Sequence, residues 1–580
     1  MLCFTHNRMH VFKNKALITA INGGANNYLD TSALGLTGAR LANIVWTQSA
    51  DTLIVVHPDI NPIKIVRGGT DATWTGTAIT FDSIPKYAFT AAFSNPAGTL
   101  TPSAVSGKIT LTASSSVFVA GSVGQYVNAS PQGRAKIVKY TSGTSVDAIT
   151  EFPFFNTSAI ANGSWEYESG YEDVWSAGKG YPRSVTFHEG RLYFGGSKSR
   201  PSTIWGSKVG LFFDFDPTEG LDDDAVEATL DTNTFNAIVD IISGRDLQVF
   251  TTGGEFYVPQ NGLDPVTPTN FFVKTASRNG IKEGVRVQQL ESGTLFVQRQ
   301  GKSLNEFAYT DTQLTYVTQK ISLLAGHLLR TPTRMALRRS VATDENDLLL
   351  ITNADDGMMA VFSLLRAQNV IAPSEFITVD GSFVDVGVDI STIYVVVKRN
   401  VNGTFQYFVE AFDNDLLTDC AKTGGAAASV SMSHVATETV NVILDGSVQA
   451  NQAVPGGGTV TFPRSSTTKF EVGLPISVKA VTMPVDLKLQ TGTRIGFKKR
   501  IVEVNALVAS TQHMKINTIE VPFRAFGDIL DEAVDEYTGT KTIHGLLGYT
   551  TEGKITIEQD VPLKMTLLGL EYKVATHQGT

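Results

Sequence analysis

The stretch Arg191-Leu192-Tyr193-Phe194 decides the fold class. It is apolar and of strand length, and it belongs to a unit that recurs. An apolar strand, often opened by Asp, meets a Gly- or Asn-containing turn and returns as a second strand. The unit reads at Asp51-Thr52-Leu53-Ile54-Val55-Val56, Asp246-Leu247-Gln248-Val249-Phe250 and Thr294-Leu295-Phe296-Val297. It reads again at Asp347-Leu348-Leu349-Leu350-Ile351 and Thr392-Ile393-Tyr394-Val395. From Arg191 onward the starts are 55, 48, 53 and 45 residues apart. Propeller blades repeat at about 40–50 residues. A lone hairpin cannot bury both of its faces, and packing several around an axis solves that. The pattern therefore predicts a mostly β chain, a β-propeller of several blades with inserted small β-domains. Irregular β-sandwiches are the alternative from the same hairpins.

Composition shifts divide the chain. Residues 1–94 read as an N-terminal β region with the first propeller strands. The interval from 51 to 191 is too long for one blade. Residues 95–170, rich in Ser, Thr, Gly and Ala, read as an inserted small β-domain with strands at Val117-Phe118-Val119 and Ala135–Tyr140. Residues 171–412 hold blades, and 413–490 a second β-rich insert. There Thr439–Leu444 runs into Asp445-Gly446, the strongest short hairpin signal in the chain. Residues 491–580 read as a C-terminal β region closing the propeller. One short helix is expected over Thr318–Leu329, with Leu323, Leu324 and Leu328 on one face.

The whole composition fits. Of 580 residues, 42% are hydrophobic and 18% charged, with 52 Gly and 21 Pro. That is enough apolar material for sizeable cores. The formal charge of −9 does not suit a broad nucleic-acid grip. Two cysteines, Cys3 and Cys420, exclude a disulfide framework and a Cys-rich zinc site, and predict folding in a reducing compartment. No apolar run approaches the ~18 residues of a membrane helix, and Met1–Arg8 lacks a signal-peptide core.

Catalytic and cofactor motifs fail one by one. Gly301-Lys302-Ser303 ends like a phosphate-binding loop, but Phe296 stands where the first glycine is required. There is no Gly-x-Ser-x-Gly elbow and no His-Glu-x-x-His. His188 beside Glu189 reads as a turn residue rather than a base, and Cys420 as a free core cysteine rather than a partner of His434. Asp214, Asp216, Asp222, Asp223 and Asp224 suit a hard cation, yet the calcium-loop template needs Gly at 219 and Glu at 225, where the chain has Glu219 and Ala225. A solvated acidic loop is the plainer reading. Gly69–Trp74 superficially resembles the Asp-box of sialidase propellers, with its Asp and Gly positions interchanged. Aromatics from Phe152 to Tyr181 read as filling at the junction between the insert and the next blade. Arg334, Arg338 and Arg339, and Lys498-Lys499-Arg500, read as solvated faces or subunit contacts. No cofactor and no metal are expected.

The stretch Trp175-Ser176-Ala177-Gly178-Lys179-Gly180-Tyr181-Pro182-Arg183-Ser184-Val185-Thr186-Phe187-His188-Glu189-Gly190-Arg191-Leu192-Tyr193-Phe194-Gly195-Gly196 is distinctive. With Pro201–Ser207 and Phe213-Asp214-Phe215 it resembles the tail nozzle proteins (tail tubular protein B) of short-tailed bacteriophages. Ser49–Pro58, Val472-Gly473-Leu474-Pro475 and Gln559-Asp560-Val561-Pro562-Leu563 resemble further pieces in the same order. The insert around Gly121–Tyr140, with Pro153-Phe154 and Trp165, resembles the first catalytic cysteine half-domain of ubiquitin-activating enzymes. That likeness implies shape, because the active cysteine of those enzymes lies elsewhere. Nozzle proteins usually carry a longer segment before the strand matched by Met9-His10-Val11-Phe12, so a shortened N-terminal domain or an upstream start is expected here.

The resemblance implies a non-enzymatic structural role in the virion tail, assembled in the host cytoplasm. A homo-hexameric ring would extend the portal and adaptor channel for DNA ejection. Its partners would be the adaptor protein and tail fibre or spike proteins, with viral DNA passing unbound and the host envelope at the distal end. A conduit must let DNA slide, so acidic segments are candidates for its lumen: Asp222, Asp223 and Asp224, and Asp528, Asp531, Glu532, Asp535 and Glu536. The alternative function is a carbohydrate-binding or depolymerising propeller that recognises host surface glycans; a third is a soluble intracellular scaffold.

Overall fold

The computed structural model describes every residue except 217–220, 261–264, 343–344, 366–367, 487, 490–491, 494–495, 545–547 and 577–580. Glu219 of the calcium template thus lies outside the described residues. The chain is almost wholly β; among the described residues its helices are single 3-10 turns, and none is long and apolar enough to cross a membrane. It forms two compact units, Met1–Ile351 with Phe362–Ser374, and Thr352–Val361 with Glu375–Thr580.

The blades follow one another in chain order, each a sheet whose neighbouring strands are consecutive. The first is Val45–Ser49, Thr52–His57, Ile60–Arg67 and Trp74–Ala78. The second is Ser184–His188, Arg191–Gly195, Thr203–Gly206 and Val226–Thr229. The third is Ile238–Ser243, Leu247–Thr251, Glu255–Val258 and Lys274–Ser277; the fourth is Gln288–Gln289, Thr294–Val297, Leu304–Thr310 and Thr315–Lys320. A fifth sheet runs through Pro332–Arg338, Asp347–Asn353, Met359–Leu365 and Val370–Phe376, and the division between the two units falls within it. A three-stranded sheet, Gly381–Asp389, Thr392–Val401 and Thr404–Ala411, follows in the second unit.

All six recurring runs are the second strand of their sheet. Every residue of Arg191–Gly195, of Leu247–Thr251 and of Thr294–Val297 is buried. A blade covered on both faces has no solvent side, so its inner strands carry near-continuous apolar runs rather than alternation. Gly195 permits that closeness: a Cβ there would lie 2.4 Å from Ile241 of the third blade.

The inserted module is a seven-stranded sheet around Phe118, Phe154 and Trp165. It is wider than 95–170, because Lys86–Ser94 pairs with Trp165–Asp173. Val117-Phe118-Val119 is not a strand; Phe118 plugs the core while Val119 stays exposed. The module is fastened to the second blade by an aromatic knot. Trp175 lies with ring centroids 5.1–5.4 Å from Phe81, Phe194, Trp205 and Phe215. Beside it Tyr87 donates to Glu227 and accepts from the Trp205 indole at 3.0 Å. The expected aromatic junction is thus split: Trp175 and Tyr181 join this knot, Phe154, Trp165 and Tyr167 fill the module, and Phe152 and Phe155 are exposed.

The helix expected over Thr318–Leu329 does not form. Thr315–Lys320 pairs with Leu304–Thr310, which commits its backbone to a ladder, and only Gly326–Leu328 makes a 3-10 turn. Leu323 and Leu324 stand out into solvent, while Leu328 is buried.

In the second unit Thr439–Leu444 and Ser447–Ala453 form the expected hairpin, with both turn residues at positive φ (Asp445 +53°, Gly446 +82°). The boundary at 490 is not respected, since Val478–Val481 pairs with Thr556–Gln559. Strands after 491 pair with one another, with Val478–Val481 and with Lys488–Leu489, and with no blade strand among the described residues. The C-terminal region therefore builds its own sheets instead of closing the propeller by strand pairing.

Candidate functional site

Three places are candidates for a functional site: the pocket where successive blades begin and the two acidic segments. In the first unit, the residues that open successive blades line a small half-open pocket of about 90 Å³, among them Ala42, Val45, Arg183, Asp240, Glu283 and Arg286. Arg334, on the first strand of the fifth sheet, donates to the carbonyls of Leu41, Ala42 and Gly284, each at 2.9 Å. Arg286 donates to the Trp46 carbonyl at 2.8 Å. The Asp240 carboxylate is buried and accepts from Ser184 Oγ, the amides of Ile241 and Val287, and Arg286 Nε, at 3.1–3.4 Å. Each of its oxygens already has two donors. It is a latch joining the second, third and fourth blades.

A glycosidase needs a carboxyl pair free to exchange protons or attack. Here Asp240 is committed, and Glu283 faces Arg183 at 3.6 Å near the surface. The sequence reading missed this cluster and placed Arg334 on a solvated face or a subunit contact. A positional signal was present: Arg183 and Arg286 each precede the second-strand start of their blade by eight residues.

The first acidic segment is organised from beneath. Arg191 is 1% exposed, and its guanidinium donates to the carbonyls of Ser207, Asp222, Asp223, Asp224 and Val266. A planar fork of five N–H donors suits such a ring of acceptors. The carboxylates of Asp222 and Asp223 are left outward and exposed. Asp224 corrects the lumen expectation. It is buried, with its carboxylate 3.3 Å from Lys208 Nζ and accepting the Leu221 amide at 3.0 Å. Asp214 and Asp216 point to Lys208 and Lys136. No cluster of three metal-ligating side chains occurs among the described residues.

The second segment keeps all five acids exposed, but not all unpaired. Asp531 meets Arg464 at 3.0 Å and Glu536 meets Lys564 at 2.7 Å. Asp528 accepts the Ala525 amide at 2.7 Å, and Glu532 and Asp535 stand at the surface.

The other residues singled out by sequence are structural in their contacts. His188 ends a strand rather than forming the turn, which is Glu189-Gly190 at positive φ. It is buried against Ser243 Oγ at 2.9 Å, and burial drives its pKa down to about 4. His434 reaches Cys420, but through the carbonyl at 3.1 Å, not the sulfur. Burial and the nearby Glu410 push the Cys420 thiol well above its ordinary range, so it is a poor nucleophile. Lys499 is not part of a basic patch; it is buried and donates to the Val485 carbonyl.

No family model and no curated protein matches the chain. Among solved structures, an exo-β-1,3-galactanase from Phanerochaete chrysosporium aligns at 9% identity and a TM-score of 0.22, covering 67% of this chain and 95% of the galactanase. A Trypanosoma rangeli sialidase aligns at 10% identity and a TM-score of 0.23, covering 92% of this chain and 81% of the sialidase. Likeness at that level carries no chemistry across.

Proposed function

We propose that this chain is a structural virion protein, the tail nozzle of a short-tailed bacteriophage. In this reading six copies form a ring that extends the portal and adaptor channel, carries fibre or spike proteins, and lets DNA pass without specific binding. It has no catalytic activity or cofactor of its own.

The observation that carries the reading is where the resembling residues fall. Trp175, Phe194, Trp205 and Phe215, all quoted from the nozzle-like stretch, are the knot that fastens the inserted module to the second blade. The likeness thus lies on the residues that set the architecture, not on scattered surface positions. The Asp240 carboxylate in the pocket is spent on holding blades together, as expected of a rigid part. Large apolar side chains on loops, such as Leu324 and Phe526, are left uncovered in the single chain, which suits a subunit that is covered on assembly.

Electron microscopy of the purified full-length chain tests the reading. Six-fold rings are expected. Release of reducing ends from host surface glycans would favour the depolymerising propeller instead.

A further inference from the structure

Two exposed loops carry apolar tips with opposite electrostatic surroundings. The first, in the second unit, is the loop over residues 523–532. Arg524 donates to the carbonyls of Ile529, Leu530 and Glu532, and Ala525 and Asp528 close a turn on each other. The loop is thereby held in one shape without burying its apolar residues. Phe526, Ile529 and Leu530 are 109%, 60% and 79% exposed. From 525 to 540 the sequence has five carboxylates and no Lys or Arg; Arg464 meets Asp531, Lys564 meets Glu536 and Arg524 stands in the loop, so five acids face three cations and the surroundings of the tip stay net acidic.

The second loop, in the first unit, is the one the sequence predicts as a helix. Leu323 and Leu324 are 77% and 91% exposed on a turn closed by Ser322 and Ala325. Around it Lys302, Lys320 and His327 are exposed, with Arg330 half-buried. Lys302 reaches the carbonyl of Leu329 at 3.3 Å, which places its ammonium beside the turn. From 312 to 343 the sequence has no Asp or Glu.

We infer that the acid-flanked tip Phe526–Leu530 of one copy docks on the base-flanked Leu323–Leu324 turn of a second copy of this chain. Complementary charge around two apolar centres is the arrangement that steers and then anchors an association. The contact joins different surfaces of the two partners, so it is head-to-tail, the kind of contact that makes a ring where its rotation closes. The inference rests on the ring reading above and names the surfaces that make the ring.

The test uses the full chain as wild type, Leu324→Glu and Phe526→Glu, with masses measured in solution. Both side chains are exposed, so melting curves taken at concentrations too low for assembly should coincide. Wild type should assemble, and each variant alone should assemble roughly 100-fold more weakly, as for loss of a central apolar anchor. An equimolar mixture of the two variants should form dimers and stop there, because each pair retains one intact loop facing one intact turn. Rings that survive either substitution, or a mixture that stays monomeric, overturn the inference and leave the ring reading standing. A wild-type chain that is itself monomeric overturns the ring reading and the inference with it. Flotation of wild type with phosphatidylcholine vesicles, lost in Phe526→Glu, would assign the tip to a lipid surface instead.

Discussion

Replacing Arg191 with Met should loosen the acidic loop while leaving the blade folded. Met fills much of the same volume but offers no donor. Of the five carbonyls served by the guanidinium, those of Ser207, Asp224 and Val266 are reached by buried bonds, so water cannot readily replace it. Each buried acceptor left without a partner costs ~1–3 kcal/mol, and relief of the buried charge offsets part of the sum. The expected net loss is about 3–5 kcal/mol. A chain of several domains does not unfold in one step, so a global midpoint is the wrong readout. Hydrogen exchange is local. The Val209 amide bonds to the Asp223 carbonyl and the Asp224 amide to Leu221, so peptides over 205–210 and 221–230 report the loop directly. Their protection should fall by roughly 100-fold or more, since ~1.4 kcal/mol is tenfold. Lys at 191 should rescue little, having at most three donors and no fork. Protection unchanged within a few-fold in Arg191→Met would refute the view that this side chain holds the loop.

Other outcomes follow from the same packing. Phe194→Ala empties part of the aromatic knot, where the ring is fully buried, and should cost ~3–5 kcal/mol locally, read as lost hydrogen-exchange protection in peptides over 184–206. His188 makes stability fall on acidification: its imidazole takes a proton near 6.5 in the unfolded chain but only near 4 in the fold, so the unfolded state binds the proton first. About 3 kcal/mol should be lost between those pH values and none above them, and His188→Gln should flatten that part of the profile of hydrogen-exchange protection over 184–195, corrected for the intrinsic rate, against pH. Burial lowers the pKa of His57, His434 and His513 as well, so each acts in the same direction in its own part of the fold. Six copies at −9 each carry a formal −54, so duplex DNA titrated near 150 mM salt should bind weakly and without sequence preference; sub-micromolar affinity with a steep salt slope would argue for a nucleic-acid-binding role.

Much of the fold was legible because blade strands are buried on both faces. Thr294–Val297 and Leu247–Thr251 stand out as apolar runs, and their spacing marks the blades. The outer strands were not, since Lys274–Ser277 is partly exposed and polar. Leu323, Leu324 and Leu328 share helical spacing, but long-range pairing of Thr315–Lys320 with Leu304–Thr310 overrode it. The module boundary was misplaced because the turn signal Asp82-Ser83-Ile84-Pro85 before Lys86–Ser94 reads like any turn between strands of one blade; only the pairing of Lys86–Ser94 with Trp165–Asp173 reveals its sheet. Site residues were the least legible. Arg334 and Lys499 look like surface charges, and Asp224 looks like its neighbours, because a backbone carbonyl that receives a guanidinium leaves no mark in the sequence.

The central claim is the place of this chain in a virion. The direct measurement is electron microscopy of phage particles carrying the protein, with an affinity tag on it decorated by gold. Label is expected at the tail, distal to the capsid vertex, in a cluster consistent with six copies. Label spread over the capsid shell, or its absence from purified particles, would contradict the nozzle reading.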